Sequence, residues 1–205
     1  MFDRSVLYLL CALQGVGADL NLPTPCHGWD LRMLLAHVDE SIAALREGVG
    51  GGRICTTSAI RHSGTAVTHV QTAATGLLGD LTDYSHDPVL VSETPLPAAT
   101  LVMVGALELT VHAWDIAAVH TPSVQIPGEL ADDLLAVAPQ LVPITGRSPL
   151  FGPPVHAPTT GPSDRLLAYL GRTRPSDQLG AAATTLTAAP STPDPQRRGH
   201  RAPGR

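Results

Sequence analysis

One helix-length stretch constrains this chain more than any other. Residues 99–119, ATLVMVGALELTVHAWDIAAV, are the most apolar run in the sequence, and Glu108 and His112 interrupt it. The run predicts a helix buried in a core, from about residue 98 to residue 119. Glu108 and His112 stand at i, i+4 and so project from nearly the same face of that helix. A carboxylate and an imidazole entering an apolar core need compensation, because an unpaired buried charge is costly. Two arrangements meet that need. One is a hydrogen-bonded Glu–His pair. The other is a shared metal, since carboxylate oxygen and imidazole nitrogen at this spacing can both reach one zinc-sized ion.

The surrounding pattern is also helical, so the expected fold class is mainly α. Residues 5–17 carry Val6, Leu7, Leu9, Leu10, Leu13 and Val16, close to a helical stripe. The segment NLPTPCHGW breaks it with two prolines and a glycine. Asp30 then suits the N-cap of a second helix, LRMLLAHVDESIAALREG, expected to stop at Gly48. Leu31, Leu34, Leu35, Val38, Ile42 and Leu45 form its apolar face. A third, weakly apolar helix is expected over about residues 58–81, and prolines keep 86–97 extended. A fifth helix fits 128–141, a Pro- and Gly-rich loop fits 142–162, and a last short helix fits 163–170. Four main helices with intervening loops point to a helical bundle with short extra elements.

Charge divides the chain in two. It contains no lysine; thirteen arginines face 18 acids, for a formal charge of −5. Residues 1–171 carry −9 and residues 172–205 carry +4. The second segment is rich in Pro, Ala, Thr and Gly and nearly free of large apolar side chains, so it is expected to be a disordered tail outside the 1–171 domain. The missing lysine excludes a lysine Schiff base, a phosphate-loop lysine and a lysine general base. An acidic body with 3% aromatics argues against nucleic acid as a partner. Cys11, Cys26 and Cys55 have neither the number nor the spacing of a disulfide framework or a cysteine zinc site. The N-terminal stretch reads as an amphipathic helix rather than a signal peptide, and no continuous apolar run reaches the ~20 residues of a membrane span. The expectation is a cytoplasmic protein without a membrane partner.

His37, in the middle of LLAHVDES on the second helix, would complete a His₂Glu set with Glu108 and His112, a donor set used by catalytic zinc with an open fourth position. Asp115, three residues after His112, fits an acceptor that orients a ligand histidine, a solvent-facing acid or the partner of an arginine. His62 and His69 are rival ligands on a polar helix, where exposed histidines are the alternative. Cys26 has no identifiable base beside it, and a packing role in the turn is the better fit. GxSxG, GxGxxG and phosphate-loop motifs are absent.

Three segments carry a resemblance. TPCHGWDLRMLLAHV resembles the TPC-x-GW-x-V/L-R-x-LL-x-H segment of the mycothiol-dependent maleylpyruvate isomerase N-terminal domain, within the DinB-like metalloenzyme superfamily. ALELTVHAWDIAAV resembles that family's E-x-x-x-H-x-WD-x-A helix, and FGPPVHAP with SDRLLAYLGR resembles the closing segment of a small, single-domain actinobacterial metal-binding subgroup. The resemblance spans roughly residues 5–174 in order. It implies a DinB-like four-helix bundle of up-down-down-up topology, with His37, Glu108 and His112 as metal ligands. It also implies zinc, or nickel or iron, as the metal and mycothiol as cosubstrate. The sequence after residue 120 is short and matches no counterpart of the family's second domain.

The function expected on these grounds is a divalent-metal-binding, mycothiol-dependent transferase or isomerase, in which the metal activates a small thiol to attack an electrophile. Its partners would be a small-molecule substrate and a low-molecular-weight thiol, with a homodimer as the oligomeric alternative. Arg32 and Arg147 are candidate holders of carboxylates, since no lysine exists to do it. Two other readings are a metal-binding protein without catalysis, structural or sensing, and a metal-dependent hydrolase with Asp115 as base.

Overall fold

The computed structural model describes residues 1–55, 65–81, 87–147 and 151–173. Its described residues are mainly helical. Six helices run in the order α1 (Phe2–Gln14), α2 (Leu31–Gly51), α3 (Ala66–Asp80), α4 (Ala98–Ala118), α5 (Gly128–Leu141) and α6 (Pro162–Tyr169). A small sheet lies between α2 and α4, with β1 (Arg53–Ile54) parallel to β2 (Val89–Val91), and β2 antiparallel to β3 (Thr94–Leu96). Within the expected extended segment 86–97, β2 and β3 form a short hairpin.

Local chemistry sets the helix ends. Asp30 caps α2 as expected, its carboxylate accepting from the Met33 N–H at 2.8 Å. The helix does not stop at Gly48, however; it continues to Gly51 and ends on Gly52, whose φ of 67° is left-handed. Gly48 has a packing role instead. A Cβ there would stand 2.8 Å from Leu101 Cδ2 and 3.0 Å from Ile54 Cγ1, so the missing side chain lets α2 approach α4 and β1. The third helix begins at Ala66, capped by Thr65, and not near residue 58. Residues 56–64, including His62, lie outside the described residues, as do 174–205 of the expected tail.

α4 is the centre of the structure. α1 packs on α3 and α4, α2 on α3 and α4, and α5 on α4 and α6. Ala106, Leu109, Ala113, Trp114 and Ile116 of α4 are all fully buried. Trp114 keeps its polar atom satisfied by donating its indole N–H to the Val124 carbonyl at 3.1 Å. Among the described residues α4 is the one helix long and apolar enough to cross a membrane by length and composition, and within this fold most of it is covered by neighbouring helices.

The turn after α6 returns to α4 through Arg172. α6 closes with the Arg172 N–H bonded to the Leu167 carbonyl at 2.8 Å and the Gly171 N–H bonded to the Ala168 carbonyl at 3.1 Å. This is the Schellman pattern, with Gly171 in the left-handed conformation at φ 75°. A Cβ on Gly171 would also lie 2.9 Å from the backbone of Gly152 and Pro153. Gly171→Ala should therefore lower stability by about 1–3 kcal/mol. Gly50→Ala, where a Cβ meets nothing within 4 Å, should be neutral or stabilising by up to ~1 kcal/mol. Denaturant melts of both variants check this, and a Gly171→Ala curve superimposable on the unsubstituted chain would contradict it.

Candidate metal centre

α2 and α4 bring the three expected donors together. His37 projects from α2 beside the buried Leu34, Val38 and Ile42. Its Nε2 lies 2.6 Å from Glu108 Oε1, and His112 Nε2 lies 3.2 Å from the same oxygen. Ser41, one turn along α2, donates its hydroxyl to that oxygen at 3.2 Å. The two imidazoles stand edge to face, 4.9 Å apart at 85°. Trp29 walls the group, 5.0 Å from the His37 ring and stacked at 16° to the His112 ring. Side-chain exposure is 34% at His37, 27% at Glu108 and 9% at His112, so the group opens to solvent through His37 and Glu108.

A second group lies on the other ring nitrogen of His112. Nδ1 is 3.0 Å from Asp115 Oδ2 and 3.8 Å from Cys26 Sγ. The Cys26 thiol donates to Asp115 Oδ2 at 3.0 Å. Arg172 closes this end: Nε donates to Asp115 Oδ1 at 3.2 Å, and Nη2 reaches Asp115 Oδ2 at 3.1 Å and Cys26 Sγ at 3.3 Å. Cys26 is held here by its own tight loop, in which the Trp29 N–H bonds to the Cys26 carbonyl and the Cys26 N–H bonds to Thr24 Oγ1. Each of the groups His37–Glu108–His112 and Cys26–His112–Asp115 has donor atoms within 4.8 Å of one another, and each could hold a metal ion.

The electrostatics follow from burial set against pairing. Burial alone would raise Glu108, but hydrogen bonds from His112 and His37 hold it well below the usual carboxylate range. Burial alone would lower His112; its hydrogen bonds with Asp115, Cys26 and Glu108 outweigh this and push it up to about 11. Asp115 is held down against its burial by Arg172 and then by His112. Burial raises the Cys26 thiol. The sequence offers no base for Cys26, but the fold supplies two groups beside its sulfur, His112 Nδ1 and Asp115 Oδ2, and the half-buried thiol is held protonated as a donor to that carboxylate.

The other sequence candidates fall elsewhere. Asp115 is fully buried with both oxygens engaged, the position of a group that orients a histidine and not of a base for water. His69 sits on α3 and belongs to neither donor group. Arg32 is exposed. Arg147 is buried, with Nε donating to the Gly152 carbonyl and Nη2 to the Tyr169 carbonyl, so it braces the loop that leads to α6. Sequence reading missed Arg172, which was counted with the tail. Two signals pointed to it: a buried Asp115 needs a cation, and LLAYLGR places an arginine directly after a helix-ending glycine.

Comparison of the chain with known protein families, with curated proteins and with solved structures gave no match in any of the three.

The paired charges set a pH dependence for protein treated with a chelator. His112, raised in the fold, contributes stability that is complete below the unfolded histidine value of about 6.5 and is lost as pH rises toward about 11. Glu108 and Asp115, lowered in the fold, contribute above the unfolded carboxylate range near pH 4 and lose that contribution as pH falls. The melting temperature should therefore be highest between about pH 4.5 and 6.5 and decline on both sides. Added zinc should do the reverse on the alkaline side, because it displaces the His112 proton: the zinc-induced gain should grow with pH. Thermal scans across pH test both slopes, and a chelator-treated melting temperature that climbs from pH 6.5 to 9 would contradict the first.

Proposed function

We propose that this chain binds a divalent metal through His37, Glu108 and His112 and uses it in mycothiol-dependent transferase or isomerase chemistry on a small electrophilic substrate. The observation that carries the reading is the meeting of His37 Nε2 and His112 Nε2 on one oxygen of Glu108, at a face partly open to solvent. Two imidazoles and a carboxylate match zinc, with nickel or iron as alternatives. Mycothiol enters through the resemblance of the TPCHGWDLRMLLAHV and ELTVHAWDIA segments to the maleylpyruvate isomerase N-terminal domain family. The DinB-like topology belongs to the same proposal, supported by the packing of α1 and α2 on both α3 and α4.

A metal bound by these residues supplies Lewis acidity that makes a coordinated thiol a nucleophile near neutral pH. The residues themselves do the rest. His37 and Glu108 offer donor atoms at the solvent edge, where a small thiol and its substrate can enter. Ser41 orients the Glu108 carboxylate, Asp115 orients the His112 ring, and Trp29 gives the face an apolar wall. The partial exposure of His37 and Glu108, with Cys26 on the opposite nitrogen of His112, favours an open coordination position over a sealed structural site. The engagement of both Asp115 oxygens weighs against the hydrolase reading.

Metal analysis after dialysis should give one equivalent of zinc for the unsubstituted chain and a large loss for His112→Ala and Glu108→Gln. Stoichiometric metal retained in His112→Ala would overturn the ligand assignment. With zinc loaded, mycothiol should be consumed in the presence of epoxides, enones or alkyl halides, and the rate should fall at least 100-fold in His112→Ala. Tight zinc binding with no thiol consumption across that panel would leave the metal site standing and overturn the thiol chemistry.

A further inference from the structure

His112 is shared by two donor groups, and only one of them can define a site that also uses His37. Nε2 faces Glu108 and His37, while Nδ1 faces Asp115 and Cys26. Cys26, His112 and Asp115 form a thiol–imidazole–carboxylate set that could itself take a transition metal. What distinguishes the two sides is a fixed cation. Arg172 reaches both oxygens of Asp115 at 3.1 and 3.2 Å and Cys26 Sγ at 3.3 Å. Its side chain is 12% exposed, and that of Asp115 is 0% exposed.

We infer that Arg172 is the positioning residue that decides which nitrogen of His112 meets the metal. It engages Asp115 and Cys26, assigns Nδ1–H to Asp115, and leaves the Nε2 lone pair for the ion. The inference rests on the metal reading of His37, Glu108 and His112. Three physical points support it. A guanidinium held by two oxygens of one carboxylate is a geometrically fixed charge, whereas an ammonium would be a mobile point charge. A second cation at the same oxygen and sulfur would meet like charge in a site shielded from water. And an Asp115 acceptor on Nδ1 fixes the tautomer that exposes Nε2, as hydrogen bonds to ligand histidines do elsewhere. Arg172 is placed for this by the Gly171 turn, which ends α6 and directs the next side chain onto α4.

The test is a Co²⁺ titration of the full chain, reading stoichiometry and the near-ultraviolet sulfur-to-cobalt charge-transfer band. The unsubstituted chain should take one equivalent and show no such band. Arg172→Gln should show the band, through Cys26, and should bind the first Co²⁺ about 10–100-fold more weakly. The band should vanish in Arg172→Gln with Cys26→Ser. Arg172→Lys, which keeps the charge, should show no band. An Arg172→Gln protein identical to the unsubstituted chain in affinity and spectrum overturns the inference and leaves the metal reading intact. A band in the unsubstituted chain overturns the inference by placing the ion at Cys26. No Co²⁺ uptake by the unsubstituted chain overturns the metal reading, and the inference with it. Should Arg172→Gln fail to fold, the histidine ring nitrogens of the zinc-loaded unsubstituted chain decide by NMR. A protonated Nδ1 and metal-bound Nε2 on His112, whose signals are assigned by their loss in His112→Ala, support the inference; the reverse pattern overturns it.

Discussion

The carboxylate of Asp115 is fully buried in the most apolar helix of the chain, and much of the structure around it serves to compensate that charge. A buried ion left unpaired costs about 3–5 kcal/mol, so its partners must be delivered reliably. They come from three places. His112 is one helical turn away on α4, Cys26 comes from the loop before α2, and Arg172 comes from the turn after α6. The carboxylate thereby ties the loop between α1 and α2 and the turn after α6 to the central helix. The glycine that ends α6 and the hydrogen bonds that shape the Thr24–Trp29 loop are local means to that end.

From Asp115 outward the site is graded. At one end Asp115 and Arg172 form a nearly sealed ion pair; at the other His37 and Glu108 meet solvent. His112 spans the two, with one nitrogen in each environment. Such an arrangement separates tasks within one ring. The sealed side sets its orientation and charge, because low exposure strengthens hydrogen bonds there, and the other nitrogen faces the more open Glu108 and His37. Trp29 stacks on the His112 ring and meets the His37 ring edge to face, an apolar wall shared by both imidazoles.

Arginine carries every basic role in this lysine-free chain, and the roles diverge with burial. Arg147 braces a loop through backbone carbonyls, while Arg172 neutralises a buried acid. Charge counting by segment put Arg172 with a basic tail, where its neighbours in sequence are polar and proline-rich. Its neighbours in space are Asp115 and Cys26, and that is what defines its function.

Much was legible in the residues alone, and for clear reasons. The capping carboxylate of Asp30, the α5 limits and the pairing of Glu108 with His112 on one helical face all follow from local geometry, which repeats every 3.6 residues and needs no knowledge of the rest of the fold. The mainly helical class followed from the same periodicity. Gly48 misled because a helix-stopping residue and a helix-packing residue look the same in sequence; only Leu101 and Ile54 pressing on it tell them apart. The meeting of His37 with Glu108 needed α2 and α4 to pack in one particular register. The choice between the two nitrogens of His112 needed Arg172 to arrive from 57 positions beyond Asp115. Sequence determined which side chains could do chemistry, because spacing along a helix sets their direction. Tertiary structure alone decided which of them share a site, because contacts between distant segments are set by packing and charge compensation and leave no periodic trace in the chain.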